Sequence, residues 1–194
     1  MSLLGVSAEF PGNDVEFGQR QVHEHVQTAQ GSKGKLVSLA TNSDRTLFFD
    51  FLPIEAMAIK GFKTKFQLYT VPGQVIYNTT RQLVLRGVDG VVFVADSQYD
   101  KMEENVKSFG NLKDNLKTLN QNLDDIPYVL QYNKRDLPNV APVDYMEFLL
   151  NNGEQQVPSF TACANQCEGV FETLNMITRL LLHKFINESN RKAA

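Results

Sequence analysis

Short apolar runs alternate with helical periods along most of the chain. The runs at Lys35–Ala40, Thr46–Leu52, Lys65–Thr70, Gly90–Ala95, Tyr128–Tyr132 and Val157–Ala162 read as strands. Val91 to Ala95 is apolar at every position, the mark of a strand covered on both faces. Between the runs, Met102, Val106, Phe109, Leu112, Leu116, Leu119 and Leu123 fall at steps of three and four. That spacing predicts a helix with one apolar stripe facing the core. Val170, Leu174, Ile177 and Leu181 repeat it near the end of the sequence, and the polar residues from Asn187 to Ala194 predict a frayed tail. Strands alternating with helices argue an α/β fold built on a largely parallel, doubly wound sheet.

Composition narrows the class. The chain has 194 residues, 42% hydrophobic, enough for one ordinary domain spanning residues 1–194. Its longest apolar runs are too short to cross a bilayer, and residues near Met1 lack the pattern of a signal peptide. A cytoplasmic protein with no integral membrane segment is expected. A net charge of −3 without clustered cations argues against nucleic acid as a partner. Cys163 and Cys167, the two cysteines, exclude a disulfide framework and read as inert thiols. His23 and His25 are two apart, so they do not share a helix face, and they read as solvated side chains rather than metal ligands.

Three segments carry chemistry. Asn133-Lys134-Arg135-Asp136 follows the strand at Tyr128–Tyr132, at a carboxyl end where open α/β sheets bind ligands. An Asn can bond a purine edge there, a carboxylate can accept two N–H groups of guanine, and a Lys stem can lie over the base. Val71-Pro72-Gly73-Gln74 follows a second strand; Gly73 permits close backbone approach to a γ-phosphate and Gln74 can orient an attacking water. Asp44-Arg45-Thr46 precedes a third: a Thr46 hydroxyl suits Mg²⁺, and Arg45 can offset transition-state charge in cis.

These segments, with Leu39-Ala40-Thr41, the phrase from Leu47 to Pro53, Gly61-Phe62-Lys63-Thr64, Leu85-Arg86-Gly87-Val88-Asp89-Gly90 and Leu137-Pro138, resemble the bacterial MglA family of Ras-like small GTPases from about residue 33 to residue 186. The resemblance implies a Ras-like sheet flanked by helices and a cytoplasmic switch, recruited to a cell pole, that governs polarity and surface motility, gliding or driven by type IV pili. It implies an MglB-like roadblock-domain activating protein, a response-regulator polarity protein and the motility machinery as partners. It assigns Arg45 as an intrinsic arginine finger and Gln74 as the water-positioning residue. Asn133, Lys134 and Asp136 read guanine, Ala164 sits under the base, and Gly73 and Thr46 face phosphate and Mg²⁺. Partner surfaces fall on Phe48, Phe49 and Phe51, and on Val75 and Tyr77.

The phosphate loop departs from that pattern. Counted back without a gap, it falls on Pro11, Gly12, Asn13, Asp14, Val15, Glu16, Phe17 and Gly18, with Glu16 where the second Gly belongs, Phe17 where the invariant Lys belongs and Gly18 where the Mg²⁺-binding hydroxyl belongs. A phosphate nest needs glycine conformations and exposed N–H groups, and Asp14 and Glu16 bring like charge instead. A lost charge-assisted contact costs about 1.5–3 kcal/mol. Lys, hydroxyl and nest together cost upwards of about 6 kcal/mol, about 10⁴-fold in affinity. Leu3–Phe10 alternates apolar with Gly5, Ser7 and Glu9, an imperfect candidate for the first, central strand, and residues 1–30 are the divergent part of the domain. The expectation is therefore a degenerate GTPase that acts through protein contacts, with no cofactor. Two alternatives remain open: a functional GTP/GDP switch with Mg²⁺ and an unorthodox loop, and a weak binder of the guanine base alone.

Overall fold

The computed structural model describes residues 2–9, 37–39, 49–59, 62–72 and 78–192. Among them a seven-stranded sheet is built from β1 (Ser2–Glu9), β2 (Val37–Leu39), β3 (Phe49–Ile59), β4 (Phe62–Pro72), β5 (Gly90–Asp96), β6 (Tyr128–Asn133) and β7 (Ser159–Thr161). The order across the sheet is β2-β3-β4-β1-β5-β6-β7. Four helices accompany it: α1 (Asn78–Leu85), α2 (Met102–Thr118), α3 (Val143–Leu150) and α4 (Val170–Lys192). The crossovers from β5 through α2 to β6, and from β6 through α3 to β7, give parallel ladders, with Val91 opposite Tyr128 and Leu130 opposite Ser159. This is the α/β architecture expected of a Ras-like chain.

The core lies on both faces of the sheet. β5 is buried at all seven positions, as its unbroken apolar run predicts. Val91 and Phe93 face α1, α2 and α3, where they meet Leu85, Phe109, Leu112, Leu116 and Met146, and the Phe93 and Phe109 rings lie 4.9 Å apart. Val92, Val94 and Val129 face α4 and pack on Val170, Leu174, Ile177 and Leu181. Gly90 packs closely at this contact: a Cβ there would meet the Ile177 and Leu181 side chains at 3.1 Å, so they would have to give by a few tenths of an ångström.

Several boundaries move. β3 and β4 each run to 11 residues, because they pair as one antiparallel hairpin from Phe51–Tyr69 towards Ile59–Phe62. Val71 and Pro72 are therefore within β4 rather than after it. α2 ends at Thr118, and Leu123 is buried from a 3₁₀ turn instead of from the helix stripe. Val106 does not face the core; it is 41% exposed. α4 continues to Lys192, through residues whose polarity predicts fraying.

The largest departure is β1. It occupies the central slot between β4 and β5, yet it runs antiparallel to both. Ser2 pairs with Pro72 and Val94, at the carboxyl ends of those strands, and Glu9 pairs with Lys65 near the start of β4. The other ladders leave β2, β4, β5, β6 and β7 running one way, with β1 and β3 opposed.

Candidate functional site: a loop cluster at the carboxyl edge of the sheet

The carboxyl ends of β5, β6 and β7 meet at one edge. Backbone hydrogen bonds continue past the ladders: Ser97 N–H donates to Asn133 O (3.0 Å), Ala162 N–H to Tyr132 O (2.8 Å) and Arg135 N–H to Ala162 O (3.1 Å). These bonds fix the loop 133–136 between the turn after β5 and the segment 162–165 after β7. Lys134 has φ = +63°, a left-handed conformation that turns the chain sharply where β6 ends. The Arg135 guanidinium donates to Ala141 O at 2.7 Å and so braces the far side of the loop.

The three residues expected from sequence to read guanine, and Ala164 expected beneath the base, are brought together here, and each has a partner within the protein. Asn133 Oδ1 accepts the Ala164 N–H at 3.0 Å. Lys134 Nζ donates to Asp96 Oδ2 at 2.6 Å. Asp136 Oδ2 accepts from Asn165 Nδ2 at 3.1 Å. The Cys163 thiol and the Asn165 amide hold the Asp136 carboxyl below its usual range. Burial, followed by the Asp136 carboxylate beside it, pushes the Cys163 thiol up, so it stays protonated at neutral pH. Cys163 is buried and Cys167 exposed, both as free thiols.

Asp96 was not anticipated as a site residue. It is 3% exposed and among the most connected side chains of the edge: Oδ1 accepts the Gln98 N–H (3.1 Å), while its backbone N–H and C=O both bond the Asn105 amide of α2. The signal was present in the sequence, as a carboxylate closing the apolar run Val91–Ala95 at a strand's carboxyl end. Asn165 carries no comparable signal; its role depends on a loop closure between Cys163 and Glu168. That closure needs Gly169, whose φ is +72° and where a Cβ would come within 2.0 Å of Thr161 O.

Of the other expected site residues, only Phe49 and Phe51 are among the described ones. Gly12, Asn13, Asp14, Glu16, Phe17, Gly18, Arg45, Thr46, Phe48, Gly73, Gln74, Val75 and Tyr77 lie outside the described residues, as do His23 and His25. Phe49 and Phe51 lie in β3, opposite Leu39 and Val37. Glu9, the last described residue before the expected phosphate loop, pairs beside Lys65 at the sheet edge opposite Asp96 and Asn133. Among the described residues there is no cluster of three or more His, Cys, Asp or Glu able to hold a metal, and no helix long and apolar enough to cross a membrane.

Comparison with known proteins agrees with the sheet and its loops. The Ras family pattern matches residues 37–183, a stretch that begins after the expected phosphate loop. Over 156 residues the chain is 54% identical to the Mutual gliding-motility protein MglA of Myxococcus xanthus (strain DK1622), covering 80% of this chain and 79% of that protein. Over 148 residues it is 30% identical to the Ras-related protein SEC4 of Saccharomyces cerevisiae (strain ATCC 204508 / S288c), covering 75% of this chain and 64% of that protein. Taken with the strand order and the loop at Asn133–Asp136, these matches make the chain a member of the Ras family, of MglA-like type.

Proposed function

We propose that this chain is an MglA-like regulator of cell polarity and surface motility that works by protein–protein contact, with GTP and GDP binding lost or strongly weakened. The direction of β1 carries the reading. In a doubly wound sheet a phosphate loop leaves the carboxyl edge shared by the parallel strands, beside the base-reading loop. Here β1 ends, at Glu9, beside Lys65 on the opposite edge. The sequence that follows has Asp14, Glu16 and Phe17 in place of a glycine nest and a lysine. The base half of a nucleotide site fits the residues at the edge; the triphosphate half does not, and no hydrolytic step is assigned to Arg45, Thr46 or Gln74.

The motility assignment rests on similarity to a protein named for gliding motility. The proposed partners are an MglB-like roadblock-domain protein, a response-regulator polarity protein and the motility machinery, reached through Phe48, Phe49, Phe51, Val75 and Tyr77 in a cytoplasmic protein recruited to a pole. Mixing the chain with its roadblock partner in nucleotide-free buffer tests this. Co-elution on gel filtration without added nucleotide is expected; a complex that forms only with GTP overturns the reading.

A second reading, a working GTP switch with Mg²⁺ on Thr46, is supported by one observation: Asn133, Lys134, Asp136 and Ala164 lie together at one edge of the sheet. In that reading Gly73 approaches the γ-phosphate, Arg45 and Gln74 are catalytic, and phosphate release is lost on Gln74→Leu.

A further inference from the structure

The chain's charge is unevenly distributed. From Asp136 to Thr178 there is no Lys, Arg or His, while Asp136, Asp144, Glu147, Glu154, Glu168 and Glu172 give the stretch a charge of −6. The remaining residues carry 19 Lys and Arg against 16 Asp and Glu, a charge of +3. The stretch folds as α3, β7 and the start of α4, and β7 is the end strand of the sheet; the nearest cation shown against α3 is Arg135, bonded to Ala141 O.

α3 also has more apolar surface than its core contacts use. Met146 and Leu150 are buried beneath it, yet Phe148 is 71% exposed and Tyr145 42% exposed on the opposite side. Tyr145 and Phe148 are three residues apart, so they share a helix face, and the Tyr99 ring extends the strip 6.1 Å from that of Tyr145. Exposed aromatics grouped in this way mark interaction surfaces more than scattered ones do. Beside Phe148 runs a groove of about 590 Å³ lined by Asp144, Glu147, Asn152, Gln156 and Val157, in which both charged residues are acidic. The groove is held open from below. Glu147 accepts hydrogen bonds from Ser159 Oγ and from Asn151 Nδ2 (2.6 Å), and Asn151 ties the loop to Val157 through both its amide atoms. Asp144 has no hydrogen-bond or ion-pair partner among the described residues and is exposed to whatever enters.

We propose that this groove and its aromatic strip dock a cationic segment of a partner protein, one that sets an apolar side chain against Phe148 and an Arg or Lys beside Asp144. Charge selects the occupant: carboxylates with no competing cation in the groove attract a basic chain and repel an acidic one. The groove borders β7 through Ser159, whereas Phe49 and Phe51 lie in β3 towards the other end of the sheet, so it would serve a different partner from one docked on β3.

The test is fluorescence anisotropy of the full chain with a fluorescein-labelled eight-residue peptide of alternating Arg and Leu, against an alternating Glu and Leu peptide of the same length. Saturable binding of the Arg peptide alone is expected, weakening as salt is raised. Phe148→Ser and Asp144→Lys, both at exposed positions that leave the core intact, should each weaken it by about tenfold. Absence of saturable binding, equal binding of the two peptides, or affinity unchanged by both variants overturns the proposal. So does a self-associated chain in sedimentation that Phe148→Ser dissociates, which would assign the strip to a second copy.

Discussion

Gly169 adopts φ = +72° with Thr161 O where its Cβ would be, whereas Gly87 adopts φ = +80° with nothing within 4 Å of that position. The two therefore separate backbone strain from steric clash. Gly87→Ala should cost about 1 kcal/mol, the left-handed penalty alone. Gly169→Ala should cost about 3 kcal/mol or more, because the backbone of β7 must move; urea midpoints of the two variants check the difference. Asp136 gives a pH-dependent counterpart. Its carboxyl lies below the ordinary value, held there by Cys163 and Asn165, so the ionised form is favoured in the folded state. Such a group adds stability above its unfolded pKa, about 4, and loses it as the pH falls through the lower folded value. Asn165→Ala should move the Asp136 titration, followed by carboxyl NMR shifts, upward towards the ordinary value; an unmoved titration would contradict the contact. At this scale the sequence was informative where a residue type carries its own chemistry. Asn133, Lys134, Asp136 and Ala164 were recognisable because their spacing survives in one loop and one short segment. Asp96 showed only as a carboxylate closing an apolar run, and Asn165 not at all, because their partners Lys134 and Asp136 come from segments distant in sequence.

Elements were legible in proportion to their apolar continuity. β5 and β6 matched the expected runs within a residue at either end, because a strand covered on both faces has few polar positions at which to stop. The hairpin of β3 and β4 was longer than expected, since pairing with each other satisfies backbone groups that propensity alone would leave in a loop. Val106 fell on the predicted stripe of α2 but outside the sheet's reach, while Asn105 turned inward to bond Asp96. The direction of β1 could not be read at all: period-two alternation is the same in either direction, and only the long-range ladders set it. The register is directly testable. In a Cys163→Ser, Cys167→Ser background, Glu9→Cys with Lys65→Cys places two thiols on directly opposed residues and should form a disulfide under mild oxidation. A parallel β1 would put these positions at opposite ends of the sheet, and no cross-link would form.

On the proposed reading, the whole molecule keeps the base half of a nucleotide site and lacks the phosphate half. Strand order, the two-faced core and the loop cluster at Asp96, Asn133 and Ala164 are those of a Ras family chain with MglA-like sequence. Asn133 accepts the Ala164 N–H, Lys134 donates to Asp96 and Asp136 accepts from Asn165, so these side chains tie the loops of the edge to one another. The central claim is that this edge has lost its triphosphate partner. The most direct measurement is a titration of fluorescent GDP and GTP analogues into the purified chain with Mg²⁺, with chromatography of any nucleotide carried through purification. No saturable binding at micromolar protein and no co-purified nucleotide are expected, since losses of about 6 kcal/mol weaken affinity about 10⁴-fold. Tight, guanine-specific binding with stoichiometric nucleotide in the purified protein would contradict it.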